Sequence, residues 1–247
     1  MKNNQHKRPN LYIVGAGPGD PDLITVKAYN ILKEAKVILY DNLANKQLLD
    51  IAPASCEKLY VGKQPYGSYT PQETIYELIK QLAFKTGSVV RLKGGDPFIF
   101  GRGFEEMQFA RENGIEAFYI PGITSMQASG FEDIPLTHRT ISEGVWMITG
   151  TKKDGTLSAD LRLAMQSNAT VAIYMGMKQA NTIADTYIKE GRGDTPVAII
   201  QHASLPHRQK AVGLIADLPM LIDQHKLTYP AMIIIGKVVT LAEQAAI

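Results

Sequence analysis

The sequence predicts an α/β protein built from two α/β domains. Three observations carry that expectation. Short apolar, β-branched runs alternate with helical stretches along the whole chain. In the first half the runs end in glycine-rich or acidic loops. Near the middle Pro121-Gly122 breaks the pattern, and a second series of runs follows it. Such alternation predicts a mostly parallel sheet covered on both faces.

The elements follow in order. Residues 1–9 read as a flexible polar tail, 10–121 as an N-terminal α/β domain and 122–247 as a C-terminal one. Leu11–Val14 is a buried strand ending at Gly15. Asp20 with Pro21 starts a helix carrying Ile24, Ala28, Ile31, Leu32 and Ala35. Val37–Tyr40 and Lys58–Val61 are strands. Thr70-Pro71-Gln72-Glu73 is a capping box, and Gly87 closes its helix. Ser88–Leu92 is a strand, Phe104–Asn113 a helix and Ala117–Ile120 a strand. The second half offers strands at Val145–Ile148, Val171–Tyr174, Val197–Ile200, Ala211–Ile215 and Met232–Ile235. Helices fit Ser158–Gln166, Gln179–Glu190 and Leu218–Gln224. The last two strands are expected to pair antiparallel.

Composition narrows the function. The 247 residues suffice for two modest domains, each with its own core. Hydrophobic (45%) and charged (20%) shares are those of a globular protein, which excludes disorder and fibre. A net charge of +2 does not point to nucleic acid. The one cysteine, Cys56, cannot form an intrachain disulfide, so a reducing, cytoplasmic setting is expected. No apolar run reaches the roughly 18 residues of a membrane helix. The histidines show no paired spacing, so no metal site is expected.

Two loops carry the chemistry. Gly15-Ala16-Gly17-Pro18-Gly19-Asp20 joins a strand to a helix, and Asp41 follows about 20 residues on. This resembles a dinucleotide fingerprint, G-x-G-x-x-G, but Asp20 fills the sixth position and Pro18 removes a backbone donor. A nicotinamide-dependent dehydrogenase therefore stays open at this point. The second loop, Lys93–Gly103 (KGGDPFIFGRG), places four glycines, an acid and two cations in eleven residues. A simple turn needs far less glycine. It lacks the G-K-[ST] of a phosphate-binding Walker loop. Gly15, Asp41, Gly62-Lys63 and Gly94–Asp96 all lie past strand C-termini, where open α/β sheets bind ligands. Arg91, Lys93, Arg102, His138 and Arg139 are candidate cations for a polyanionic substrate. Met175, at the end of another strand, reads on its own as core filling.

Taken together the motifs resemble the tetrapyrrole methylases. They are VGAGPGDPDLIT (Val14–Thr25), VILYDNL (Val37–Leu43), YVGK (Tyr60–Lys63), VVRLKGGDPFIFGRG (Val89–Gly103), IPGITS (Ile120–Ser125), IPLTHR (Ile134–Arg139), ITG (Ile148–Gly150), YMGM (Tyr174–Met177) and PVAII (Pro196–Ile200). The match spans about residues 10–240. The resemblance implies two α/β domains with a ligand cleft between them, a homodimer, and S-adenosyl-L-methionine as methyl donor. Its nearest pattern is that of members acting on uroporphyrinogen III at C2 and C7 to give precorrin-2 for sirohaem and cobalamin. It implies donor contacts from Pro18, Gly94, Gly95, Asp96, Ile99, Thr124, Ser125, Met175 and Ala203. It implies Asp41 as proton acceptor and Lys63 as proton donor. Arg102, His138 and Arg139 are then expected to grip the substrate's carboxylates. Phe104, Ser125, Thr151 and Ala203 depart from the residues usual at those positions. A later corrin-ring methylase and a non-catalytic tetrapyrrole carrier are the rival readings within reach of the same pattern.

Overall fold

A computed structural model describes residues 8–62 and 70–244. The chain divides into two compact units, Met1–Thr124 and Ser125–Ile247. The sequence break lies at Pro121-Gly122, but Gly122 lies against Gly15 and Gly95, so the first unit extends past it.

The first unit contains β1 (Asn10–Gly15), α1 (Val26–Lys33), β2 (Val37–Tyr40), β3 (Glu57–Tyr60), α2 (Gln72–Thr86), β4 (Ser88–Lys93), α3 (Gly103–Glu112) and β5 (Glu116–Ile120). Its sheet runs β3-β2-β4-β1-β5, with every pairing parallel. Alternation along the strands sorts side chains to two cores. Leu11, Ile13, Val37, Leu39 and Val89 meet α2 and α3 on one face. Val14, Ile38, Val90 and Leu92 meet α1 on the other. The chain therefore leaves β1 toward one face and β4 toward the opposite face. These adjacent strands form the switch point at which a crevice opens beyond the carboxyl ends.

Two helix starts differ from the sequence expectation. Asp20 caps only a 3-10 turn, Pro21–Leu23. Thr25 caps α1, its hydroxyl accepting from Ala28 N at 3.2 Å. No capping box forms before α2 either. Pro71 stands at the N-cap without a side-chain bond, and the Thr70 hydroxyl donates to the Gly62 carbonyl instead (3.3 Å). Gly87 does close α2, in the left-handed conformation.

The second unit contains β6 (Val145–Thr149), α4 (Asp160–Met165), β7 (Thr170–Tyr174), α5 (Ala180–Lys189), β8 (Pro196–Gln201), β9 (Gln209–Leu214), α6 (Leu218–Gln224), β10 (Ala231–Ile235) and α7 (Leu241–Gln244). The sheet order is β6-β7-β10-β8-β9. Only β6 and β7 are parallel; β10 runs antiparallel to β7 and β8, and β9 antiparallel to β8. The expected pairing of the last two strands does not occur. β10 is apolar along its length and takes a central place, whereas β9, with Gln209 and Lys210, suits an edge. Among the described residues no helix is long and apolar enough to cross a membrane.

Beyond the carboxyl ends of β1 and β4, backbone approaches backbone. Ala16 N donates to Lys93 O (2.7 Å), and Gly17 and Gly95 exchange bonds of 3.2 and 2.7 Å. A Cβ on Gly122 would run into the Gly95 carbonyl and the Gly15 backbone. Gly122→Ala is therefore expected to cost about 1–3 kcal/mol through overpacking. Gly130→Ala, where an added Cβ meets open space, serves as the control. A urea-denaturation midpoint that is equal for both variants would contradict the close approach.

Candidate active site

Asp96 is the centre of the second loop, and it is buried. Its Oδ1 accepts from Phe98 N at 2.8 Å. Its Oδ2 accepts from the Tyr119 hydroxyl at 2.5 Å and from Gly122 N at 3.2 Å. Tyr119 in turn stacks on Phe98 with centroids 4.0 Å apart, and Phe104 meets Phe98 edge-on at 5.9 Å. Both carboxylate oxygens are thus committed to the protein. Asp96 shapes the loop and ties it to the Gly122 turn that leads to Thr124. What the loop offers a ligand is backbone at Gly94, half-buried beside Leu43 with no room for a side chain. Pro18 and Ile99 are half-buried on the same pair of stitched loops, with Ile99 N donating to Asp96 O at 3.2 Å.

Asp41 directly follows β2. Its Oδ1 accepts from Leu43 N (3.1 Å), and Leu43 is the residue packed on Gly94. Its Oδ2 accepts from Arg91 Nη2 at 3.1 Å. Arg91 is anchored by its own bonds to the Leu39 and Leu92 carbonyls (3.4 and 3.0 Å). Beneath it lies Glu106, fully buried. Its Oε1 accepts from Lys93 Nζ (3.2 Å) and Gln72 Nε2 (3.1 Å), and lies 3.5 Å from Arg91 Nε. Two acids and two cations therefore form one cluster reaching from the core to Asp41. Burial pushes the Lys93 amine below its ordinary range, as does neighbouring Arg91, while Glu106 and Asp41 oppose the shift. Arg91 and Lys93 do not offer open cations to a substrate, because β4 alternation turns both inward. Asp41 keeps an edge toward solvent, with its carboxylate held in one orientation.

Lys63 lies outside the described residues. Arg102 stands half-exposed at the start of α3, in the left-handed region, and its guanidinium forks onto Glu105 (2.9 and 2.5 Å).

In the second unit Ser125 opens a 3-10 stretch, Ser125–Glu132. Met126 N donates to the Tyr174 hydroxyl at 3.2 Å, which ties this stretch to the end of β7. Met175 follows in the left-handed region (φ +56°) with its side chain half-exposed, so it is not core filling. Such a conformation costs a non-glycine residue on the order of 1–3 kcal/mol. Ala203 is buried after β8. It follows His202, whose ring lies 4.7 Å from that of His207 and whose pKa is lowered by burial first and then by His207. His138 and Arg139 stand on an exposed turn closed by backbone bonds between His138 and Ser142 (2.8 and 2.9 Å). Among the described residues no group of three or more metal-ligating side chains gathers.

Two residues of the site, Tyr119 and Glu106, lie outside the motifs, and the contacts that Gln72 and Tyr174 make are not encoded in theirs. Only Glu106 leaves a sequence signal. Gly103, Glu106, Met107 and Ala110 recur at helical spacing, so an acid sits on the buried stripe of α3.

Burial and the Asp96 carboxylate push the Tyr119 phenol from 10.0 up to about 12. Below pH 10 the phenol is protonated whether folded or not, and the contact contributes in full. Between pH 10 and about 12 the unfolded chain releases the proton that the folded chain keeps, so stability falls as pH rises. Ultraviolet difference titration of wild type against Tyr119→Phe is expected to show this late phenol, and Asp96→Asn to bring it earlier. An unchanged midpoint in Asp96→Asn would contradict the bond.

The model of the family described as Tetrapyrrole (Corrin/Porphyrin) Methylases matches residues 10–219. A siroheme synthase of Chromobacterium violaceum is 40% identical over 236 residues, covering 95% of this chain and 50% of that protein. The chain thus spans about half the length of the curated relatives it matches. A crystal structure of uroporphyrin-III C-methyl transferase from Thermus thermophilus, complexed with S-adenyl homocysteine, superposes with a TM-score of 0.82 at 37% identity. It covers 94% of this chain and 99% of that one. A cobalt precorrin-4 methyltransferase superposes at 0.83 with 27% identity, covering 93% and 95%. The motif order, the two sheets and the family match agree: the chain belongs to the tetrapyrrole methylases.

Proposed function

We propose that this methylase transfers methyl groups from S-adenosyl-L-methionine to C2 and C7 of uroporphyrinogen III, giving precorrin-2 for sirohaem or cobalamin synthesis. The observation that carries the reading is the side-chain-free backbone at Gly94-Gly95 beside a fixed acid, Asp41. Glycine at 94 lets Leu43, whose N–H holds Asp41, pack directly on this loop. The similarity to a methyltransferase seen with S-adenyl homocysteine supports the same donor. The identity of 37% to the uroporphyrin-III enzyme, against 27% to the precorrin-4 enzyme, favours the earlier substrate.

In this reading Pro18, Gly94, Gly95 and Ile99 meet the donor in the first unit, with Thr124 at its end. Ser125, Met175 and Ala203 do so in the second. Asp96 acts by holding the loop. The donor supplies an activated methyl group on a sulfonium. The chain must then align that methyl with a nucleophilic ring carbon and remove a proton from the methylated framework. The reading gives that proton to Asp41, and it is supported by a carboxylate that Arg91 and Leu43 N fix while one edge meets solvent. Lys63, Arg102, His138 and Arg139 are proposed for the substrate side, where a polycarboxylate calls for cationic donors. The reading includes a homodimer in a reducing cytoplasm, consistent with a lone, buried Cys56.

Anaerobic uroporphyrinogen III and methyl-labelled donor test the function, with methyl groups counted by mass spectrometry. Two per product are expected. No transfer would contradict the reading, and label moving only to a later precorrin would select a corrin-ring methylase. Asp41→Asn is expected to slow turnover by roughly 10²-fold or more, the contribution of a proton-transfer group, with donor affinity kept. Undiminished turnover would remove Asp41 from the mechanism.

A further inference from the structure

The ends of β6 and β7 are joined more heavily than a pair of parallel strands requires. Gly150 N donates to Tyr174 O at 2.6 Å. A Cβ on Gly150 would meet the Gly176 backbone, so the two strand ends touch without a side chain between them. The Thr151 hydroxyl donates to the Met175 carbonyl at 3.0 Å. Thr151 is itself held, because the Thr149 hydroxyl donates to its carbonyl at 3.0 Å and accepts from its N–H at 3.4 Å. All these ties surround Met175, the residue forced into the left-handed region with its side chain half-exposed.

A strained non-glycine backbone persists only where its surroundings over-determine it, and such residues gather at ligand sites. The Met175 carbonyl is the group whose direction that strain sets, and the side chain bonded to it is that of Thr151. A hydroxyl on a short, β-branched side chain has one restricted rotamer set, so it fixes the carbonyl more firmly than a flexible donor would. Thr151 is also one of the positions at which this chain departs from the family pattern. The family resemblance therefore assigns it nothing, and the geometry must.

We propose that Thr151 is a positioning residue for the methyl donor: its hydroxyl holds the Met175 carbonyl, and so keeps Met175 in the left-handed conformation that presents its side chain to the ligand. The proposal rests on the reading that Met175 touches the donor. It predicts an effect on the donor alone, transmitted through Met175.

Titration calorimetry with S-adenosyl-L-homocysteine tests it on wild type, Thr151→Val and Thr151→Ser, each checked for folding by circular dichroism. Thr151→Val keeps the shape and removes the hydroxyl. It is expected to weaken binding by about tenfold, the equivalent of one lost hydrogen bond. It should raise the donor's KM likewise and leave the KM for uroporphyrinogen III unchanged. Thr151→Ser is expected to restore binding. Thr151→Ala replaces Thr151→Val if the latter fails to fold. In a Met175→Gly background the left-handed turn needs no support, so Thr151→Val should add nothing. Wild type that fails to bind S-adenosyl-L-homocysteine overturns the donor reading and this proposal with it. Wild type that binds, with Thr151→Val equal to it or with its effect undiminished in Met175→Gly, overturns this proposal alone.

Discussion

The approach of three backbones, at Gly15, Gly95 and Gly122, is the constraint on which the arrangement of the first unit's loops depends. No side chain fits where they meet. The meeting brings the end of β1, the loop after β4 and the turn after β5 into one place. Asp96 then locks it, because a single carboxylate accepts from Phe98 N, the Tyr119 hydroxyl and Gly122 N. An acid in a glycine-rich loop invites the reading that it binds a ligand cation. Here both oxygens already accept bonds from the protein, and bonds to a charged acceptor are worth more than neutral ones. The loop takes its shape from Asp96.

The second organising feature is electrical. Arg91, Lys93, Glu106 and Asp41 bring opposite charges together under the sheet's end, where isolated charges would be costly. Three of the four are buried. The fourth, Asp41, meets solvent and takes its orientation from the buried members. The proton-acceptor role proposed for Asp41 gains from a carboxylate aimed in advance. The same logic appears in the second unit without charge. There the Thr151 hydroxyl, past a neighbouring strand end, bonds the Met175 carbonyl.

Much of this was legible in the sequence, and the failures have particular causes. The strands showed because buried parallel strands are short, apolar and β-branched. The switch point followed from loops placed past strand ends. The α2 capping box failed because Thr70 found the Gly62 carbonyl, a partner eight residues back. The β9–β10 pairing failed because sheet position is decided by burial: apolar β10 displaced polar β9 from the centre. Arg91 and Lys93 looked like substrate cations because a one-dimensional reading lists charges without sides, although their spacing of two along β4 already placed both on one face. The bonds of Asp96 to Tyr119 and of Thr151 to Met175 join residues about two dozen positions apart, and no periodicity encodes such a pair.

A crystal structure of the chain with S-adenosyl-L-homocysteine distinguishes a backbone platform held by Asp96 from an acid that itself binds the donor. Ligand atoms are expected against the main chain of Gly94 and Gly95, with Asp96 still bonded to Tyr119 and Gly122 N. A ligand bound away from that loop, or an Asp96 carboxylate that has left Tyr119 to bond the ligand, would contradict the platform.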